Sequence, residues 1–236
     1  MELAELRRIA AREELSLNYV AKDEMISRAL FALQGHSDLV LKGGTAINRA
    51  YLKNLRFSED IDFDLVGEGA RQAIARTQEI VGKLGGFDVA KPRIAGGTIR
   101  YDLYYINPMG QRDRIILEFR VVDKAAGYEK RIASFGFVPS EPALLNIYDI
   151  EELIRQKIAC ILSRMEGKDF FDLYHLIGLP HKRIKIADKK LLQKRMDLEE
   201  RAIKSVGNVL NHYIPRSKRP DWGGFLGDLK ERMLEY

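Results

Sequence analysis

Cys160 is the only cysteine, which excludes an internal disulfide and disfavours a thiolate metal site within one chain. Its neighbours Ile158, Ala159, Ile161 and Leu162 mark it as a small buried residue rather than a nucleophile. No run of about eighteen apolar residues occurs, so no membrane-spanning helix is expected. The opening residues, Met1-Glu2-Leu3-Ala4-Glu5-Leu6-Arg7-Arg8, lack the apolar segment of a signal peptide, and a cytoplasmic location is expected. Internal repeats, heptad arrays and low-complexity tracts are also missing. What is present is 46% hydrophobic content over 236 residues, ample for the core of one large domain or two modest ones.

Charge is unevenly spread. The net charge is +5, and the residues from Glu151 onward hold 18 Lys and Arg against 13 Asp and Glu, so the first 150 are balanced at 21 of each. A positive C-terminal half favours a polyanionic partner, with Lys182, Arg183, Lys185, Lys189, Lys190, Lys194 and Arg195 as its densest run. The same run is equally readable as a solvated helix face.

Apolar spacing predicts two helices over residues 1–34, a short strand at Leu39-Val40-Leu41, and a helix from Thr45 to about Lys53 with Thr45 near its N-cap. A strand follows at Asp60 to Val66, then a helix from about Gly69 to Leu84. Strands are expected near Phe87–Ala90, Ile99–Ile106 and Arg114–Val121, the last two antiparallel across the turn Asn107-Pro108-Met109-Gly110. From Asp149 the pattern turns helical, at about 149–164, 169–177, 188–212 and 222–235. The expected fold is therefore α+β: a mixed sheet flanked by helices over residues 1–148, then a helical domain over 149–236.

The chemistry concentrates in two segments, Leu41-Lys42-Gly43-Gly44-Thr45 and Arg56-Phe57-Ser58-Glu59-Asp60-Ile61-Asp62-Phe63-Asp64. Backbone N–H groups at a glycine turn can cradle a polyphosphate, and carboxylates on a strand can hold the Mg²⁺ that neutralises it. The pairing points to nucleotidyl transfer. Asp60 and Asp62 fall on one strand face, roughly 6.5–7 Å apart along the backbone. Asp64 shares that face and is read as sitting past the site. Ser58 is placed to bond a phosphate oxygen. Glu118 interrupts the apolar strand Ile115-Ile116-Leu117-Glu118-Phe119 and is the candidate third carboxylate, with a salt bridge to Arg114 or Arg120 as the alternative.

A second cluster joins Lys157, Arg164, Lys168, Asp169 and Asp172. Asp169 reads either as a helix N-cap beside a solvated Lys157, or as the orienter of a lysine that clamps triphosphate charge or of the acceptor. Tyr101, Tyr104 and Tyr105 read equally as core or as stacking groups.

With Leu41-Lys42-Gly43-Gly44-Thr45-Ala46, Arg56-Phe57-Ser58-Glu59-Asp60-Ile61-Asp62, and Lys157 through Lys168-Asp169-Phe170-Phe171-Asp172-Leu173-Tyr174, the chain resembles the AbiEii/AbiGii family of nucleotidyltransferase toxins, the enzymatic half of type IV toxin–antitoxin modules. The match spans about residues 39–176, and Lys22-Asp23 extends it upstream. The resemblance implies a DNA polymerase β-like core with a helical C-terminal portion, NTP use with Mg²⁺, a cognate antitoxin and, in some members, addition of nucleotides to tRNA 3′ ends that blocks translation. It also implies that Gly43, Gly44, Thr45 and Ser58 bind the nucleotide and that Asp60 and Asp62 bind metal. Lys157 matches the family's downstream lysine and Asp169 its downstream acidic residue. Two competing functions share these residues: a nucleotidyltransferase acting on a small molecule or protein, and a non-enzymatic RNA- or antitoxin-binding module.

Overall fold

The computed structural model describes residues 1–67, 69–134, 136–164, 166–182, 184 and 189–234. The chain divides into two compact units, Met1–Tyr148 and Asp149–Tyr236.

The first unit opens with α1 (Leu3–Glu13) and α2 (Leu17–Ala32). The Ser16 side chain caps α2 by accepting from the Tyr19 amide at 3.2 Å. The chain then runs through β1 (Leu39–Lys42), α3 (Gly43–Ala46) continued by a π turn at Ile47–Tyr51, β2 (Asp60–Val66) and α4 (Ala70–Gly82). Six more strands follow: β3 (Asp88–Val89), β4 (Arg93–Ala95), β5 (Thr98–Ile106), β6 (Arg112–Val122), β7 (Tyr128–Ala133) and β8 (Ala143–Tyr148).

Among the described residues these form one eight-stranded sheet in the order β3-β5-β6-β2-β1-β8-β7, with β4 also on β5. It is mixed, as expected: β2 runs parallel to β6 and β1 to β8, and the other pairs are antiparallel. The β5–β6 hairpin turns where Asn107 Oδ1 accepts from the Met109 and Gln111 amides at 3.0 and 2.9 Å.

Alternation gives the central sheet two unlike faces. Ile61, Phe63 and Leu65 of β2, Ile115, Leu117 and Phe119 of β6, and Ile99, Tyr101, Leu103 and Tyr105 of β5 are buried on one of them. Helix α4 brings buried Ala73, Thr77, Ile80 and Val81, with Thr77 Oγ1 3.0 Å from the Tyr101 hydroxyl. Tyr101 and Tyr105 are thereby core residues, and Tyr104 lies on the opposite face. That opposite face carries Asp60, Asp62, Asp64 and Glu118.

Three strands, β4, β7 and β8, go beyond the sequence expectation. β7 is an edge strand with three charged residues in six, and β8 follows Pro142 without clean alternation, so neither shows the period-two signal. The helix expected from Thr45 starts instead at Gly43 and gives way to the π turn, closed by the Leu52 amide donating to the Ile47 carbonyl at 3.0 Å. A buried ion pair ties α2 to this region: Arg49 Nη2 meets Asp23 Oδ1 at 2.6 Å, and Asp23 Oδ2 accepts from the Val138 amide at 3.0 Å. Asp23, read as an upstream extension of the resemblance, is thus a buried half of an ion pair.

The second unit is helical: α5 (Ile150–Ser163), α6 (Gly167–Ile177), α7 (Lys189–Leu210) and α8 (Phe225–Leu234). Asp149 caps α5, its Oδ1 accepting from the Glu152 amide at 2.8 Å. Residues 188 and 235, expected at helix ends, and Arg183 and Lys185 of the basic run lie outside the described residues. Lys182, Lys190 and Lys194 of that run are exposed. No helix among the described residues is long and apolar enough to cross a membrane.

His175 is half-buried against Phe171, ring centroids 4.5 Å apart, and its Nε2 has no hydrogen-bond partner among the described residues. Burial pushes its imidazole down to about 4; Asp172 opposes that shift and Arg232 reinforces it. An unfolded histidine takes its proton near pH 6.5, so this contribution to stability is complete above that pH and is lost as pH falls toward 4. The loss is on the order of 3 kcal/mol. Trp222, the single tryptophan, lies in this unit, so its fluorescence in urea titrations at pH 7, 5.5 and 4 reports the effect. His175→Phe is expected to flatten the slope, and an unchanged slope would refute the assignment.

Candidate active site

The two motifs meet because β1 and β2 are antiparallel neighbours with Lys42 opposite Asp62. As the chain leaves β1 it turns at Gly43, whose φ of +69° suits glycine. A Cβ added to Gly43 would lie 2.3 Å from Asp62 Oδ2, so the second aspartate rests directly over the turn. A Cβ on Gly44 would lie 2.5 Å from Arg56 Nη2 and 2.7 Å from Ser58 Oγ. A side chain at either position would have to displace these tips, and at Gly43 the left-handed backbone adds its own strain.

Asn48 holds this arrangement together. Its Nδ2 donates to the Gly44 carbonyl at 2.9 Å, and its Oδ1 accepts from the Arg56 amide at 3.2 Å. The Asn54 amide donates to the Asn48 carbonyl at 2.8 Å, locking the left-handed pair Lys53 and Asn54. Thr45 is fully buried and its hydroxyl donates to the Asp60 carbonyl. It is not the helix N-cap expected from sequence, because α3 begins two residues earlier and the hydroxyl is committed to the start of β2.

The three aspartates separate by environment. Asp64 is buried and accepts from Lys42 Nζ and from the Tyr148 hydroxyl, both at 2.6 Å. Asp60 and Asp62 are only partly buried. Glu118 stands beside Asp62 in the parallel β2–β6 register, and Arg100 Nη1 lies 3.4 Å from its Oε1. Among the described residues no three His, Cys, Asp or Glu side chains are already gathered as a metal-binding group.

A family model described as "Nucleotidyl transferase AbiEii toxin, Type IV TA system" matches residues 26–234. The chain belongs to the AbiEii family of nucleotidyltransferase toxins. The fold is shared with solved structures. MenT4, a nucleotidyltransferase toxin from Mycobacterium tuberculosis, is 19% identical with a TM-score of 0.63, over 99% of this chain and 88% of that one. JHP933 from Helicobacter pylori is 19% identical with a TM-score of 0.62, over 94% and 92%. An antigenic nucleotidyltransferase-like protein from Paracoccidioides brasiliensis is 16% identical with a TM-score of 0.51, over 87% and 98%. No curated protein sequence matches at a significant level.

In this AbiEii-family chain the downstream cluster is a buried charge network within the second unit. Lys157 Nζ lies 2.9 Å from Asp169 Oδ1 and 2.8 Å from Asp172 Oδ2, and both carboxylates are fully buried. Arg164 Nε adds a contact of 3.1 Å to Asp169 Oδ2, and the pairing holds the guanidinium well above its usual range. Asp169 is in the first turn of α6 and does not cap it; that position falls to Glu166. The reading with a solvated Lys157 is thereby overturned, since α5 and α6 pack face to face around its ammonium.

Sequence reasoning gave no role to Arg56, Asn48 or Lys42. Arg56 is buried in an irregular loop where no periodicity applies, and the available signal was its place two residues before Ser58 in the same motif.

Proposed function

We propose that this nucleotidyltransferase moves a nucleoside monophosphate from an NTP to the 3′ end of a tRNA. The Asp62 carboxylate resting over the Gly43-Gly44 turn, with Ser58 and Arg56 beside it, carries the reading. The Gly43 and Gly44 amides and the Ser58 hydroxyl receive phosphate oxygens, and Arg56 offsets their charge. Thr45 acts through the Asp60 carbonyl, fixing where β2 begins.

Asp60, Asp62 and Glu118 are hard oxygen donors on one sheet face, a set that suits Mg²⁺. Held by these carboxylates, Mg²⁺ would supply Lewis acidity toward the acceptor hydroxyl and offset triphosphate charge. The acceptor oxygen attacks the α-phosphorus in line as the bond to pyrophosphate breaks. Within the second unit Lys157, the match to the family's downstream lysine, is held in orientation by Asp169 and is the charge-bearing residue of this reading.

Membership of a type IV toxin–antitoxin family implies an NTP substrate and an antitoxin partner. The tRNA assignment draws on membership of a family some of whose members add nucleotides to tRNA 3′ ends. The test incubates purified protein with total tRNA, Mg²⁺ and each labelled NTP in turn. Label in RNA with one NTP is the expected result. Label only in a small molecule or a protein would overturn the acceptor, and absence of Mg·NTP binding by calorimetry would overturn the enzyme.

A further inference from the structure

The glycine turn and the carboxylate pair give the active face a direction. Gly43 and Gly44 leave β1, so bound phosphates lie on the β1 side of Asp62, while β6 and then β5 and β4 extend on its other side. In-line attack requires the entering oxygen and the departing pyrophosphate to stand on opposite sides of the α-phosphorus. The acceptor therefore arrives from the β6 side.

That side is rich in arginine. The even-numbered residues of β5 and β6 share the face of Asp60 and Asp62, which places Arg112, Arg114, Glu118 and Arg120 on β6 and Arg100, Asp102 and Tyr104 on β5. Arg93 of β4 sits beside Arg100. Arg93, Arg112 and Arg114 have side chains 59%, 60% and 46% exposed. Arg120 is exposed and makes no ion pair among the described residues. Asp102 is nearly buried between Arg93 at 2.5 Å and Arg114 at 3.4 Å, so it fixes two guanidinium groups and leaves the trio one net positive charge. Arg112 lies 4.1 Å over the Tyr104 ring and pairs with the exposed Asp88 at 3.1 Å. From Arg112 to Arg120 the strand spans roughly 27 Å, with side chains on this face every 6.6 Å or so. Arg112 and Arg114 at one end of this row and Arg120 at the other, with Ile116 and Glu118 between them and an aromatic ring beside Arg112, suit a single strand of nucleic acid, whose phosphates need charge and whose bases need a stacking plane.

We propose that Arg93, Arg112, Arg114 and Arg120, with Tyr104, form a track for the acceptor RNA strand that leads its terminal hydroxyl to Asp60 and Asp62 from the β6 side. The inference rests on the transferase reading for its direction, and its test separates the two. Filter binding of total tRNA across a salt series is measured for the intact protein, Arg112→Gln/Arg120→Gln and Lys190→Gln/Lys194→Gln, alongside transfer kinetics.

The β6 double variant is expected to bind RNA about tenfold more weakly, with the slope of log K against log salt shallower by roughly 1.4, the value for two lost single-strand phosphate contacts. Its KM for NTP and its kcat at saturating RNA stay unchanged, and Arg112→Lys/Arg120→Lys restores the slope. The α7 variant should bind as the intact protein does. Equal RNA binding by the β6 variant, loss confined to the α7 variant, or no RNA binding by the intact protein would each overturn the track. Loss of RNA binding in the β6 variant together with label only in a non-RNA acceptor would support the surface and refute the tRNA reaction.

Discussion

Asp62→Ala, and separately Asp60→Ala, are expected to lower nucleotidyl transfer on the order of 10³-fold or more, with the fold left intact. The two effects divide because of where β2 commits its atoms. Its odd residues fill the core, and its start is held by the Thr45 hydroxyl on the Asp60 carbonyl, a contact that side-chain removal leaves in place. Asp64→Ala provides the contrast, since it strips the partner from Lys42 and Tyr148 and should cost about 1–3 kcal/mol. Rates come from labelled NTP and stability from urea titration. Near-normal transfer in both Asp60→Ala and Asp62→Ala would remove this site from consideration.

Lys157→Met should destabilise the second unit by about 3–5 kcal/mol, because it leaves two fully buried carboxylates short of their shared cation. Arg164 still serves Asp169, whereas Asp172 loses the ammonium 2.8 Å from its Oδ2. Lys157→Met/Asp172→Asn is therefore expected to recover a substantial part of the loss, read from Trp222 fluorescence in urea as a double-mutant cycle. Activity of that refolded double variant then decides the lysine's role. Recovered transfer would make Lys157 a structural cation only, whereas a folded but inactive protein would place its charge in the reaction. A single variant as stable as the intact chain would refute the network itself.

The glycine turn, the aspartate strand and the β5–β6 hairpin were legible because each is a short-range pattern: a left-handed turn, a period of two, an Asn-Pro-Met-Gly loop. Long-range partners were not. That Asp64 is spent on Lys42 and Tyr148 depends on β8 pairing with β1, and β8 gives no alternating signal of its own. Thr45 was misread for the same reason, since its hydroxyl is claimed by a residue fifteen positions away rather than by its own helix. Lys157 and Asp169 were legible as members of a cluster, but only packing of α5 on α6 decides that the lysine is buried.

Strand β2 carries two instructions in alternate letters, one for cohesion and one for the chemistry proposed above. A deletion upstream of Asp60 that let the strand slip by one place would turn Ile61, Phe63 and Leu65 outward and the aspartates inward together. Such a lesion would remove the proposed catalytic pair and the core packing at once. A harmless but well-folded version of the protein, suitable for capturing an antitoxin without poisoning its host, is therefore reached by substitution at positions 60 and 62 and not by shortening the loop before them.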